Sequence, residues 1–189
     1  MNKKTRFILI HGTEGSPASN WLPWLTNSLQ LKGQSVSVPS FPTPEGQSQS
    51  NWLKAFRKQV APIDSETVLI GHSMGVGLIL RVLEQSEVPA KGCLFVSGWT
   101  GLLNNPEFDP LIASFFEDVF SWPRVIKNGG QIQLFHGSDD PYVPLTMAKD
   151  LSNSLDAPLE IVSNGGHLNQ ESGFVEFPKL LDCALKFTV

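Results

Sequence analysis

Five short runs of apolar residues, each continuous rather than alternating, constrain this chain more than any other feature of its sequence. They occupy residues 7–10, 67–70, 93–96, 132–135 and 159–162, and a weaker sixth lies at 35–38. Alternation would mark strands with one wet face. Continuous hydrophobicity means that both faces are covered, the condition of a parallel strand with helices above and below it. The segments between the runs carry helical spacing. Trp21, Leu22, Leu25 and Leu29 share a face before Gly33, Trp52, Phe56 and Val60 recur at every fourth residue, and similar patterns cover 78–83, 147–155 and 175–187. Strand followed by helix, repeated along the chain, predicts an α/β fold with a doubly wound sheet of six parallel strands.

A chain of 189 residues without internal repeats reads as a single domain over 1–189. The tract SFPTPEGQSQS at 40–50 is a surface loop after the second strand, not a linker. Residues 100–130 are longer than an ordinary connection and hold Leu102, Leu103, Phe108, Leu111, Phe115 and Phe120 among acidic residues. Two readings are open there: a crossover helix with its packing face, or a small lid over the strand ends.

Fourteen Lys and Arg against eighteen Asp and Glu give a net charge of −4. With no basic block to track phosphates, no nucleic-acid partner is expected. Lys3, Lys4 and Arg6 precede an apolar run in the manner of an export signal, but His11-Gly12 cuts that run short, so it reads as a strand. No stretch approaches the roughly 20 apolar residues that span a bilayer, and no membrane partner is expected. The two cysteines, Cys93 in a strand run and Cys183 on a helical pattern, are expected to be buried free thiols, which fits a cytoplasmic location.

The chemistry is written at residues 67–78, TVLIGHSMGVGL. Gly71-His72-Ser73-Met74-Gly75 is a G-x-S-x-G element with a strand before it and a helix after it. In an open parallel sheet chemistry gathers at the carboxyl ends of strands. The glycines let strand and helix approach closely around a strained turn, and the helix amino end offers N–H groups to a developing negative charge. A serine hydroxyl is a weak nucleophile without a base, and the base needs a third group to orient it. Candidates follow the fifth run, in His136-Gly137-Ser138-Asp139-Asp140-Pro141-Tyr142-Val143-Pro144, and the sixth, in Asn164-Gly165-Gly166-His167-Leu168.

An HG after the first strand, a Pro-rich loop followed by a Trp-bearing helix, GHSMG, G-x-x-D-P-x-V-P and a late GH span the whole chain. Together they resemble the small, capless α/β-hydrolase-fold serine hydrolases similar to retinoblastoma-binding protein 9 and its bacterial relatives. The resemblance implies a minimal α/β-hydrolase sheet in the order 2-1-3-4-5-6. It implies Ser73 as nucleophile, His167 as base and Asp140 as orienting acid, because the family's acid lies three residues after Gly137 and four before Pro144; Asp139 is left to cap the turn. His11, His72 and His136 are assigned structural roles. The oxyanion hole falls to the backbone N–H of Met74 and, from the HG-x element, of Thr13. Glu14, beside it, departs from the pattern and is read as solvated or as repelling anionic substrates.

The expected reaction is cleavage of a small-molecule ester, thioester or amide through an acyl-enzyme. No cofactor or metal is implied: the chain has no Cys-x-x-Cys, no His-x-x-x-His and no G-x-G-x-x-G after its first strand. Trp21, Trp24, Trp99, Phe116 and Trp122 are candidates to line an apolar pocket, Trp99 foremost, against the alternative that they pack helices on the sheet. With little cap, the site is expected to be shallow and to favour short acyl groups. The competing class is a catalytically idle binding or protein-interaction module. The L-x-C-x-E interaction motif associated with the family name is not present, since Leu185 stands where its Glu would be, and no protein partner is assigned.

Overall fold

The computed structural model describes residues 4–188, so Lys3 of the basic start lies outside the described residues. The apolar runs form strands β1 (Arg6–Ile10), β2 (Ser35–Ser37), β3 (Thr67–His72), β4 (Gly92–Val96), β5 (Gln131–Gly137) and β6 (Leu159–Val162). All pair in parallel in one six-stranded sheet of order β2-β1-β3-β4-β5-β6, as expected. The central register sets Leu69 of β3 against Ile8 on one side and Cys93 on the other. Seven α-helices are described: α1 (Leu22–Leu31), α2 (Gln49–Gln59), α3 (Met74–Gln85), α4 (Asp109–Phe116), α5 (Trp122–Gly129), α6 (Leu145–Leu155) and α7 (Pro178–Leu185).

Continuous hydrophobicity has the cause inferred for it. Ile8, Ile10, Leu69, Cys93, Phe95 and Leu134 point to one face, where they meet α2 to α6. Phe7, Leu9, Val68, Ile70, Leu94 and Val96 point to the other, where they meet α1 and α7. Each fully buried aliphatic or aromatic side chain contributes about 1.5–3 kcal/mol relative to exposure, and every residue of β3 is buried. Cys93 and Cys183 are both buried free thiols. None of the described helices is long and apolar enough to cross a membrane.

Helix α3 starts at Met74, directly after Ser73, as expected. One boundary differs from the pattern reading. Helix α7 starts at Pro178 rather than near 175, since proline's missing N–H suits a first-turn position. Residues 100–130 hold helices α4 and α5. Helix α5 packs on α3 as the crossover, while residues 103–112 reach the strand ends. The end of α4 is anchored: the buried Arg81 of α3 donates to the carbonyls of Phe115 and Asp118 and lies 3.8 Å from the Phe120 ring centroid.

Candidate active site

Ser73 sits between the last residue of β3 and the first of α3, at φ 56°, ψ −125°. Such a conformation costs a non-glycine residue about 1–3 kcal/mol and persists only where its surroundings impose it. Here Ser73 N–H donates to Val96 O at 2.8 Å, and its carbonyl accepts from Val76 N–H at 3.0 Å. The flanking glycines have a measurable reason. A Cβ on Gly75 would stand 2.5 Å from Ile10 O, and one on Gly71 would stand 2.9 Å from Val76 N. Gly12, after β1, is pressed against the serine itself: its Cβ would lie 2.7 Å from Ser73 Cβ and 3.1 Å from Oγ.

His167 follows β6 in a loop where Asn164, Gly166 and Leu168 all adopt positive φ. Its Nδ1 lies 2.8 Å from Asp140 Oδ2. The other oxygen, Oδ1, accepts from Tyr142 N–H at 2.9 Å and Val143 N–H at 3.0 Å. Burial alone would push the Asp140 carboxyl up, but the His167 hydrogen bond and charge and the two N–H donors outweigh it and hold it below the usual carboxylate range. An ionised carboxylate only accepts, so Nδ1 of His167 donates, and in the neutral ring Nε2 carries the lone pair. Asp139 accepts from Gly166 N–H at 2.9 Å and so ties the two loops together.

The His167 backbone is anchored from three further directions. Its carbonyl oxygen accepts from His72 Nε2 at 3.0 Å and from Ser97 Oγ at 2.9 Å, and its N–H donates to Ser172 Oγ at 3.2 Å. Ser97 holds φ 50° at the end of β4 and is fully buried. The other histidines are structural by geometry. Burial, together with the nearby His167 charge, pushes His72 down to about 3, so it stays neutral while it donates. His11 and His136 are likewise lowered by burial. His11 Nδ1 donates to Gly12 O at 2.8 Å and its Nε2 accepts Phe41 N–H at 3.1 Å; His136 Nε2 donates to Val143 O at 3.0 Å.

These elements enclose a cleft of about 740 Å³ that takes in Ser73, His167 and Thr13. Gln47 Nε2 donates to Thr13 Oγ1 at 2.9 Å and to Leu111 O at 3.0 Å, tying the loop after β1 to the start of α4. Met74, as the first residue of α3, offers one of the helix's unsatisfied N–H groups beside Ser73.

Of the aromatic residues proposed for the pocket, only Trp99 lines the cleft. Trp21 is a correction: it is fully buried under the His167 loop, with Nε1 donating to Leu168 O at 3.0 Å. Trp24 packs on the α1/α7 face of the sheet. Phe116 stands behind Trp99, ring centroids 6.2 Å apart, and Trp122 packs on Phe120, so both belong to the core under α4 and α5. Not singled out as cleft residues from the sequence were Asn20, Phe108, Tyr142 and Glu171, which line it. They sit in turns and a single 3-10 turn, where no periodicity marks them. Among the described residues no group of three or more His, Cys, Asp or Glu side chains is placed to hold a metal ion.

A family model described as "Serine hydrolase" matches residues 7–184. The YdeN protein of Bacillus subtilis is 28% identical over 176 residues, covering 92% of this chain and 91% of that protein. The serine hydrolase RBBP9 of Rattus norvegicus is 26% identical over 188 residues and 98% of both chains. The crystal structure of the B. subtilis ydeN gene product superposes with a TM-score of 0.88, covering 97% of this chain and 98% of that one.

Proposed function

The chain belongs to the serine hydrolase family, and from that premise we propose that it hydrolyses a small carboxylic ester through a Ser73–His167–Asp140 triad and an acyl-enzyme; thioester and amide cleavage use the same chemistry. The observation that carries the reading is the Asp140–His167 pair. A carboxylate fixed by two backbone N–H groups and 2.8 Å from Nδ1 holds its partner in the tautomer whose Nε2 can act as a base, and His167 lines the same cleft as Ser73.

The steps are those of the general chemistry of such a triad. His167 Nε2 takes the Ser73 proton as Oγ attacks the carbonyl carbon, and Asp140 stabilises the imidazolium that forms. The oxyanion is received by the N–H groups of Met74 and Thr13. His167 then returns the proton to the leaving oxygen, the carbon–oxygen bond breaks, and water repeats the sequence to release the acid. The buried free thiols suit a reducing compartment, and we place the protein in the cytoplasm. Release of acid from p-nitrophenyl acetate and butyrate tests the reading. Turnover lost in Ser73→Ala supports it, and equal rates in wild type and Ser73→Ala would refute it.

A further inference from the structure

We infer that the cleft selects esters joining an apolar acyl group to a polar, non-anionic alcohol. The inference rests on the reading of Ser73 and His167 given above and adds to it the direction in which the substrate lies.

The cleft is a trough across the strand tips, with banks from opposite faces of the sheet. Trp99, Leu103, Ile112 and Val143 belong to the hydrophobic cluster on the α2–α6 face and make one bank apolar. The opposite bank is the His167 loop, whose Leu168 packs into the α1/α7 cluster and whose Asn169, Gln170 and Glu171 line the trough. Asn20 extends this polar bank, its Oδ1 accepting Gln170 N–H at 3.0 Å. Tyr142 bridges the banks: its ring lies 6.3 Å from Phe108 and 5.2 Å from His167, and its hydroxyl donates to Glu171 Oε2 at 2.8 Å.

Mechanism then assigns the banks. The proton taken from Ser73 must go from His167 Nε2 to the oxygen whose bond to the acyl carbon breaks, so the departing alcohol lies against the His167 loop, the polar bank. The acyl group, bonded to Ser73 Oγ, lies towards the apolar bank. An alcohol with hydroxyl or amino groups finds partners in Asn20, Gln170 and Glu171; a purely apolar one leaves those groups desolvated and unpaired.

Charge sharpens the choice. No Lys or Arg lines the trough among the described residues, whereas Glu14 and Glu171 both do. A carboxylate or phosphate on the leaving group therefore meets only like charge, and because Glu14 and Glu171 are exposed the repulsion is one that salt screens. Coenzyme thioesters, which carry several phosphate charges, fall on the disfavoured side.

The test is kcat/KM for four butyrate esters, of glycerol, choline, glycolate and hexanol, followed by acid release at low and high salt. The glycerol and choline esters should exceed the glycolate ester by roughly tenfold or more at low ionic strength, with the choline-to-glycolate ratio shrinking as salt rises. Glu171→Lys should lower that ratio, and Glu14→Lys, which leaves the Tyr142 contact intact, should do the same. Equal or better turnover of the glycolate or hexyl ester overturns the inference. If none of the four is cleaved while a fluorophosphonate still labels Ser73, the inference fails and the triad stands. If there is neither turnover nor label, both fail.

Discussion

Replacing Asp140 with Asn changes one atom and, on the geometry of the site, should disable it through a tautomer. The Asp140 carboxylate makes three hydrogen bonds: Oδ1 accepts from the Tyr142 and Val143 N–H groups, and Oδ2 accepts from His167 Nδ1. Asn keeps only one oxygen. Placed at the Oδ1 position it retains two bonds, whereas placed at Oδ2 it would retain one and turn an NH2 against two backbone donors. The amide nitrogen therefore faces His167, where it can only donate, so Nδ1 must accept and the ring proton moves to Nε2. Nε2 can then no longer take the Ser73 proton. A base in the wrong tautomer costs about 10⁴ in kcat, or about 5.4 kcal/mol of transition-state stabilisation. Steady-state ester hydrolysis on Asp140→Asn, with circular dichroism to confirm the fold, measures it. KM should change little, since the lost interaction is made in the transition state. A folded variant within tenfold of wild-type kcat would refute the reasoning.

Three further outcomes are expected. His72, held at about 3 by burial, cannot take up a proton that the unfolded chain accepts near 6.5, so stability should fall with decreasing pH between those values by up to about 1.4 kcal/mol per pH unit; His11 and His136, also lowered, add to the slope. Urea midpoints at pH 7, 6 and 5 check this, and a flat series would contradict it. Ser97→Ala removes one of the two donors to the His167 carbonyl and should cost about 1 kcal/mol of stability in chemical denaturation while slowing fluorophosphonate labelling of Ser73; unchanged labelling would show that the loop is held without it. Gly12→Ala places a Cβ 2.7 Å from Ser73 Cβ, which forces the serine or the HG turn to shift; kcat should drop by about 10², and wild-type activity would show that the turn yields freely.

The sheet was legible because short, β-branched-rich apolar runs alternate with helical patterns: the runs at 7–10 and 67–70 are the core of β1 and β3. The elbow was legible because a strained turn at a strand end demands glycine at Gly71 and Gly75, where an added Cβ would come within 3 Å of neighbouring atoms. The aromatic wall was not. An aromatic side chain packs a core or lines a pocket with the same composition, and only the tertiary direction of α1 sends Trp21 under the His167 loop rather than into the cleft. Ser97 and Asn20 were hidden for another reason. Each is a polar residue at positive φ whose partners, His167 and Gln170, are 70 and 150 residues away. The polar bank of the trough was invisible for the same cause, since loop residues such as Gln170 and Glu171 follow no period.

The most direct test of an activated serine is intact mass after incubation with a fluorophosphonate, on wild type, Ser73→Ala and His167→Ala. A single adduct on wild type, absent from Ser73→Ala and formed far more slowly in His167→Ala, is the predicted result. A folded wild-type protein that takes no adduct, or one that labels equally well without His167, would contradict it.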